Sequence, residues 1–266
     1  GWWLLDPTNI NVNATGTAYN PFDHSFLLPV GTANISAASI NSALSNVVLT
    51  ASNNINFNTD VNIANSGVGV YAYAGNTISL LNNSITTNGG HVAFDAGISI
   101  NINNSAITTN GGDIRLTASR LIGSSDVKIQ NSSFMSGGGN IDIYGKSDVV
   151  LSGNSKFGTN GGDFKAETSL LGTLQSTGTT VNTTGGSTPG SISASDILDW
   201  NITQNEFGNN NNWYSGANGG KITISAGNVK QSNNNCFKAG GTGTCAGVPD
   251  PGPTSIAITI TAPDQF

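Results

Sequence analysis

The chain has 266 residues, of which only 9% are charged, and its formal net charge is −6 at pH 7. A basic surface that would follow a nucleic-acid backbone is therefore not predicted, and neither is the lysine- and arginine-rich patch that anionic membranes attract. No apolar run approaches the length that is needed to span a bilayer. We therefore expect neither a nucleic-acid partner nor a membrane-spanning helix.

The amino-terminal part combines an apolar opening with an irregular segment. Residues 1–12 end in alternating apolar and polar residues, and Trp2 and Trp3 are expected to begin the core of the first coil. Residues 15–30 interrupt the alternation with a glycine and two prolines, which predicts a loop that leaves this coil. The alternation then resumes in residues 37–63. No window shows the apolar spacing that is typical of a helix.

An internal repeat lies at the centre of the chain, where residues 78–96 align with residues 100–118 at an offset of 22 residues. Both copies contain alternating apolar residues, a single isoleucine, the tripeptide Asn-Gly-Gly and a second alternating pair. Alternation at period 2 predicts short, half-buried strands, and Asn-Gly-Gly predicts a turn because Asn and Gly tolerate positive φ. Stacked units of this kind form a continuous core. The predicted fold class is therefore an all-β, right-handed parallel β-helix, a solenoid with extruded loops.

The same register extends to both sides of the repeat. Val47 and Val70 occupy the position of Val92, so Tyr71 and Tyr73 are expected to point outward. Beyond residue 118 the equivalent apolar position recurs at longer offsets, at Ile141, Phe164, Ile192 and Ile222. Longer offsets predict insertions that leave the coil, near residues 121–125, 170–178 and 196–212, and such insertions often cluster on a binding face.

The outward columns of the stack are predicted to form ladders. Arg115, Asp142 and Lys165 share one column and would be neighbours of opposite sign in successive coils. Exposed pairs of this kind contribute only about 0.2–1 kcal/mol each. Repeated asparagines at the strand ends are expected to stack as amide ladders that satisfy backbone groups at the bends.

The insertion over residues 196–214 is the strongest candidate for a binding site. It contains Trp200, Asn212, Trp213 and Tyr214, and aromatic faces flanked by amides hold sugars through stacking and hydrogen bonds. These four residues are the tentative ligand-binding set. The alternative is that Trp200 or Phe207 fills the core where the coil widens, and the sequence leaves both interpretations open.

The composition changes near the carboxyl end, so we divide the chain into a β-helix over residues 1–230 and a terminal segment over residues 231–266. Cys236 and Cys245 flank a stretch rich in glycine and threonine, and prolines then precede an alternating segment over residues 255–261. In a chain with exoprotein composition the two cysteines are predicted to form a disulfide, since two cysteines without a nearby histidine do not make a metal site. The segment is expected to be a disulfide-closed loop, a proline-rich connection and a final strand.

Two stretches resemble a known family. The opening Trp3-Leu-Leu-Asp-Pro-Thr-Asn-Ile-Asn-Val12, together with residues 40–55, is similar to the filamentous-haemagglutinin and high-molecular-weight adhesins, which are exoproteins of bacterial two-partner secretion systems. The resemblance covers about residues 1–230. It implies a long β-helix, export through an outer-membrane pore and adhesion to host or neighbouring cells. The secretion domain of that family carries an Asn-Pro-Asn-Gly-Ile-type motif, whereas this chain has Asn20-Pro21-Phe22-Asp23, so we interpret it as a segment outside the secretion domain.

No nucleophile elbow, phosphate loop or metal-binding helix motif occurs, and we predict no catalytic residue, no metal and no cofactor. His91 is expected beside Asp113, as an acid–base pair or, in the interpretation that we favour, as a solvated contact. Asp113 and Asp163 share a column about 10 Å apart, near the upper limit for inverting carboxylates. Both follow Gly-Gly, as in calcium-binding β-rolls, but the nine-residue repeat of those proteins is missing.

Two further surface features carry weaker hypotheses. Ice binding needs a regular threonine array, which begins at residues 86–87 and 108–109 but ends after two coils, so these threonines are predicted to fill an outer column. Asn82 and Asn103 begin Asn-x-Ser sequons that we expect to stack. Some of the adhesins that the chain resembles are modified at such sites, so both are tentative glycosylation sites.

Together these patterns predict a segment of a secreted or surface-anchored bacterial adhesin. Its expected partner is a glycan or protein receptor on a host or neighbouring cell, which it binds without catalysis. The alternatives are a carbohydrate-active β-helix enzyme, which would need converging carboxylates in a groove, and a fibre spacer without a ligand.

Overall fold

The repeated alternation builds three β-sheets that run side by side along one axis. The computed structural model describes residues 7–16, 31–119, 123–169, 172–185, 190–196, 204–207, 212–215, 221–226, 228–231, 236–239 and 256–261. From residue 54 onward the chain passes through sheet 1, sheet 2 and sheet 3 in turn along each coil, and each strand pairs with its counterpart in the next coil. Before residue 54, two strands of sheet 1 and one helix precede the first strand of sheet 3. The predicted parallel β-helix is confirmed.

The strands are assigned to the sheets as follows. Sheet 1 contains β1 (Asn9–Asn13), β2 (Thr32–Ser36), β4 (Asn54–Phe57), β7 (Thr77–Leu81), β10 (Ser99–Asn103), β13 (Asp126–Gln130), β16 (Asp148–Ser152), β19 (Thr173–Ser176), β22 (Gln204–Phe207) and β25 (Asn228–Gln231). Sheet 2 contains β5 (Val61–Ser66), β8 (Ser84–Asn88), β11 (Ala106–Thr108), β14 (Ser133–Met135), β17 (Lys156–Gly158), β20 (Thr180–Asn182), β23 (Asn212–Ser215) and β26 (Cys236–Ala239). Sheet 3 contains β3 (Val47–Ala51), β6 (Val70–Ala74), β9 (Val92–Ala96), β12 (Ile114–Ala118), β15 (Ile141–Gly145), β18 (Phe164–Thr168), β21 (Ile192–Asp196), β24 (Lys221–Ala226) and β27 (Ile256–Thr261).

The register agrees with the sequence offsets. Val70 pairs with Val92, and Val92 pairs with Ile114. The longer offsets that follow are confirmed as well, because Ile114 pairs with Ile141 and Ile141 with Phe164. The described pairs are parallel except for β27, which pairs antiparallel with β24 at the end of sheet 3. Both β26 and β27 belong to the terminal segment and extend the sheets of the solenoid.

Two of the predicted insertions contain strands of sheet 1. Residues 173–176 form β19 and residues 204–207 form β22, so the prediction that 170–178 and 196–212 are wholly extruded loops is wrong. The sequence did not predict these strands because they lack apolar alternation: β19 carries a single aliphatic residue, Leu174, and β22 is mostly polar. The backbone ladder to the neighbouring strand supplies the pairing that apolar alternation does not indicate.

The helix α1 (Ala37–Asn41) was not expected from the sequence. The Ser36 hydroxyl caps it by accepting the N–H of Ala38 at 3.2 Å, which is the usual role of serine before a first turn. Its two buried side chains, Ala37 and Ile40, are three residues apart and therefore face the core together. One turn of this length is too short to produce a helical period in the sequence. Within the described residues no helix is long and apolar enough to cross a membrane.

The core consists of stacked apolar columns with a line of aromatic rings inside it. The ring centroids of Phe134 and Phe157 are 5.1 Å apart, and Phe157 lies 5.1 Å from Phe164. Phe164 in turn meets Trp213 at 6.0 Å in an edge-on arrangement. All four side chains are at most 1% exposed. Burying each side chain of this kind contributes about 1.5–3 kcal/mol, so the ring line ties sheet 2 to sheet 3 across several coils.

Asparagine ladders on the outward face of sheet 1 join successive strands, as predicted. Asn56 donates its amide to Asn11 Oδ1 at 3.0 Å, and Asn58 donates to Asn13 Oδ1 at 2.9 Å. Stacked amides can form such chains because each has both donors and an acceptor. They pair the outward face of β1 with β4 and its following turn.

A second ladder of hydroxyl groups is buried at the corner after sheet 2. The side chains of Thr87, Thr109, Ser136, Thr159 and Thr183 are not exposed. Each donates to the carbonyl of a glycine in its own turn, as Thr109 does to Gly112. The prediction that the second threonine of each pair fills an outer column is therefore wrong. Its hydroxyl satisfies a carbonyl that the tight turn removes from water.

Close packing of successive turns explains the glycine that ends each Asn-Gly-Gly. A Cβ atom at Gly112 would lie 2.4 Å from the carbonyl oxygen of Gly90 in the preceding coil. A backbone atom cannot move aside as a flexible side chain does, so a larger residue would separate the coils. The repeated motif is a packing requirement at this corner.

Candidate functional site

Trp213 was predicted to bind a ligand, and the structure places it in the core. It is 0% exposed, because it faces inward on β23 at the position that Val181 occupies in the preceding coil. Its indole nitrogen donates to Thr179 Oγ1 at 3.2 Å. The prediction for Trp213 is wrong, because its side chain fills the core. The alternative was made for Trp200 or Phe207, whose side chains lie outside the described residues, so it stays a prediction.

Of the other members of that predicted set, only Tyr214 has a side chain among the described residues. Tyr214 is partly exposed on the outer side of β23, and its carbonyl accepts the N–H of Thr183 at 2.9 Å. Asn212 belongs to the same strand, but its side chain lies outside the described residues, and so does the whole of Trp200. A ligand-binding role for Tyr214, Asn212 and Trp200 stays a prediction.

Only one of the two cysteines that were predicted to form a disulfide lies among the described residues. Cys236 begins β26 and is 7% exposed. Cys245 lies outside the described residues, so the disulfide between the two stays a prediction. Non-reducing peptide mapping of the folded protein would test it.

The expected stacking of Asn82 on Asn103 is wrong. The residue above Asn82 is Asn104, whose amide donates to Asn82 Oδ1 at 3.3 Å. Asn103 pairs with Leu81 on the adjacent strands. The reason is that the coil offset is 22 residues here, one more than the separation of the two sequons. Glycosylation of Asn82 and Asn103 stays a prediction.

His91 and Asp113 do meet, as part of a capping ladder between sheet 2 and sheet 3. The N–H of Asp113 donates to His91 Nδ1 at 2.9 Å, and His91 Nδ1 lies 3.4 Å from Asp113 Oδ2. The ladder continues through further coils with side-chain oxygens of Asp113, Asn140 and Asp163, which accept the N–H groups of Asn140, Asp163 and Ser191 at 2.8 Å. The side chains of His91 and Asp113 are 51% and 45% exposed. These residues satisfy backbone donors at a solvated corner.

A charged groove lies on the outer face of sheet 3, with a volume of 310 Å³. Its polar walls are formed by Arg115 on β12, Asp142 and Tyr144 on β15, and Lys165 and Glu167 on β18. We call these five residues the sheet 3 groove. They alternate with buried residues along each strand, so the period-2 pattern itself directs them outward.

This face concentrates residue types that are rare in the chain. Only 9% of residues are charged, yet the four adjacent strands β9, β12, β15 and β18 present five charged side chains here, the four of the groove and Asp95. Three of the five tyrosines of the chain, Tyr71, Tyr73 and Tyr144, point outward from the same sheet. Aromatic rings beside hydrogen-bonding charges are the components of a polar ligand site.

The groove departs from the predicted column of alternating ion pairs. Arg115 does pair in register with Asp142, and Asp142 with Lys165. However, Lys165 Nζ forms its ion pair with Glu167 Oε1 on the same strand, at 2.9 Å. Asp142 is instead left between the two cations, where it interacts with both through the electric field.

Burial sets the protonation behaviour of the carboxylates. Desolvation raises the pKa of Asp142, against the opposing effects of Lys165 and Arg115. Desolvation likewise raises the pKa of Asp95, and Arg115 lowers it. Burial is also the main cause that raises the pKa of the Tyr71 hydroxyl, with smaller contributions from Tyr73 and Asp113.

The raised pKa of Asp142 predicts a small stability gain on substitution with asparagine. The folded protein binds the proton of Asp142 more tightly than the unfolded chain, so ionisation costs stability as the pH rises from the ordinary value of 3.8 through the folded pKa. We expect Asp142→Asn to raise the free energy of unfolding at pH 7 by about 0.5 kcal/mol or less. The variant should therefore unfold at a slightly higher temperature than the wild type. Thermal unfolding at pH 3 should show that the gain has vanished. A gain that grows as the pH falls would contradict the assignment.

The fold and this face together define a parallel β-helix with a charged, tyrosine-flanked groove on one sheet. No protein-family model, no curated protein and no solved structure matches the chain. In the described residues no group of three or more histidine, cysteine, aspartate or glutamate side chains is arranged to hold a metal ion.

Proposed function

We propose that this β-helix is a binding segment of a bacterial adhesin that is secreted or displayed at the cell surface. In this proposal it is exported by the two-partner route through an outer-membrane pore, as the resemblance of its opening residues implies. The sheet 3 groove binds a glycan receptor on a host or neighbouring cell.

The observation that carries this proposal is the composition of the sheet 3 groove. The Arg115 guanidinium can donate to several hydroxyl or carbonyl oxygens of one sugar. Asp142 and Glu167 can accept hydroxyl protons, and the ring of Tyr144 gives an apolar face for stacking. The charges of Arg115 and Lys165 nearly balance those of the acidic residues, which suits a neutral or weakly charged glycan better than a polyanion.

Four carboxylates among the described residues have contacts that suit binding without catalysis. The enzyme alternative relied on Asp113 and Asp163, and each uses its Oδ1 to accept a backbone N–H at 2.8 Å. Asp142 is held between two cations, and Glu167 is bound to Lys165. The proposal therefore assigns these acids to positioning and recognition.

Removal of Arg115 tests the proposal. We expect a glycan array to report at least one ligand for the wild type, and Arg115→Ala to weaken that binding about tenfold or more, because a hydrogen bond to a charged group contributes about 1.5–3 kcal/mol. Tyr144→Ala should weaken it as well. The matched control is Lys128→Ala, which removes a half-exposed cation from the outer face of sheet 1. Equal loss in Arg115→Ala and Lys128→Ala, or no glycan bound at all, would refute the proposal.

A further inference from the structure

A second groove follows the corner between sheet 1 and sheet 2, away from the face just described. It has a volume of 620 Å³ and crosses successive coils, with Asp60 at one end and Lys156 at the other. The exposed asparagines between them are Asn82, Asn104, Asn131 and Asn154. We call this set of six residues the corner groove.

The corner groove repeats one backbone conformation at an asparagine in three successive coils; in the next coil Gly153 occupies this position and Asn154 follows it. Asn82, Asn104 and Asn131 have φ angles of 60°, 49° and 49°, in the left-handed region. Asparagine tolerates this region better than other residues with a side chain. The amides therefore project from equivalent positions in successive coils, at a spacing of about 4.8 Å.

Buried serine hydroxyls accept several of the backbone N–H groups at this corner, so the exposed amides keep part of their hydrogen-bonding capacity for a ligand. The buried hydroxyl of Ser132 accepts the N–H of Ser105, and that of Ser155 accepts the N–H of Ser132, both at 3.2 Å. Among the exposed amides, Asn104 donates to Asn82 Oδ1 at 3.3 Å, and Asn131 Oδ1 accepts the N–H of Asn154 at 3.3 Å. Each amide has two N–H donors and an oxygen with two lone pairs, so a single contact of this kind leaves outward donors and acceptors.

The charges limit the ligand further. Asp60 and Lys156 carry opposite charges at the two ends of the groove, and the asparagines between them are neutral. Asp60 is partly committed, since its Oδ1 accepts the N–H of Ser84 at 2.7 Å. The middle of the groove therefore offers nothing that would favour a polyanion or a polycation.

We propose that the corner groove binds a linear, uncharged polysaccharide that lies parallel to the solenoid axis. Its sugar residues advance by about one coil each, so that successive hydroxyl groups meet successive asparagine amides. From Asp60 to Lys156 the groove covers five strands of sheet 2, a length of about 19 Å. This site is separate from the sheet 3 groove and does not depend on it.

A length series tests the geometry. Calorimetry with the unmodified full chain would use β-1,4-linked oligomers of glucose, N-acetylglucosamine, mannose and xylose, each from one to eight residues. We expect at least one series to bind with an affinity that rises with each residue up to about five and then levels off. Affinity that is independent of length, or no binding in all four series, would overturn the proposal.

Asn104→Asp locates the site. Aspartate keeps the shape and tolerates the same φ, but it removes both amide donors and adds a charge. We expect a loss of about tenfold or more in affinity for the longest oligomer. The control Asn101→Asp makes the same change on the outer face of sheet 1 in the same coil and should bind as the wild type does. Equal losses in both would overturn the location.

The two proposals fail separately. Arg115→Ala should leave oligomer binding unchanged, and Asn104→Asp should leave binding to the array glycan unchanged. If Arg115→Ala abolished oligomer binding while Asn104→Asp did not, the polysaccharide would occupy the sheet 3 groove and the corner groove would be refuted.

Discussion

Trp213→Ala is expected to lower the free energy of unfolding by about 3–5 kcal/mol, the usual cost of deleting a large buried aromatic side chain. Trp213 ends the line of stacked rings, with its ring 6.0 Å from that of Phe164, and its indole nitrogen donates to Thr179. The substitution removes both contacts and leaves a cavity between sheet 2 and sheet 3. Urea or thermal unfolding followed by circular dichroism measures the effect.

Tyr214→Ala is the matched control for this change. Tyr214 is the next residue on β23 and points outward, so we expect a loss of no more than about 1 kcal/mol. If Trp213→Ala were as stable as Tyr214→Ala, the indole would not be a core residue. A loss of glycan binding in Trp213→Ala would report unfolding, and therefore could not place a ligand on this strand.

Thr109→Val is expected to destabilise the fold by about 1–3 kcal/mol, although valine has nearly the same shape. The Thr109 hydroxyl is fully buried, donates to the carbonyl of Gly112 and lies 3.1 Å from the carbonyl oxygen of Ser136 in the next coil. A methyl group in its place leaves a buried carbonyl without its donor.

The neighbouring Thr108→Val is the control, because Thr108 is partly exposed on the outer side of β11 and its change should remain within about 0.5 kcal/mol. Urea midpoints of the two variants and the wild type would show the difference. A Thr109→Val variant with the stability of the wild type would mean that the hydroxyl ladder contributes nothing to the stack.

The fold could be predicted from the sequence because the apolar columns repeat with the coil. The positions of Ile78, Ile100 and Val92 define the register, and the structure keeps it through every change of offset. The same alternation would also have placed Thr109 inside, two residues after the buried Ile107. Thr109 was nevertheless expected to point outward because threonine is polar. Its hydroxyl is compatible with burial only when the turn provides a carbonyl that accepts its hydrogen bond.

The site could be predicted less well. The outward column of Arg115, Asp142 and Lys165 followed from the register, but the pairing of Lys165 with Glu167 depends on side-chain conformations that no spacing indicates. Trp213 was misplaced because the strand that contains it begins inside a predicted insertion. An inward or outward direction can be read only after the strand has been recognised.

Sequence position alone also misled the comparison of the two sequons. Asn82 and Asn103 have the same local motif, but a separation that differs from the coil offset by one residue places them in different columns. In a sheet with a side-chain period of 2 such a difference changes which residue each one meets. The residue that meets Asn82 is Asn104, which lies one coil offset of 22 residues further along the chain.

Tyrosine footprinting tests most directly whether the sheet 3 face binds a glycan without cleaving it. The wild-type protein would be oxidised by hydroxyl radicals with and without its best array ligand, and the recovered ligand would be weighed by mass spectrometry. We expect protection of Tyr71, Tyr73 and Tyr144, unchanged oxidation of Tyr214, and an intact ligand. Protection of Tyr214 alone, or shortened sugar products, would contradict a non-catalytic site on sheet 3.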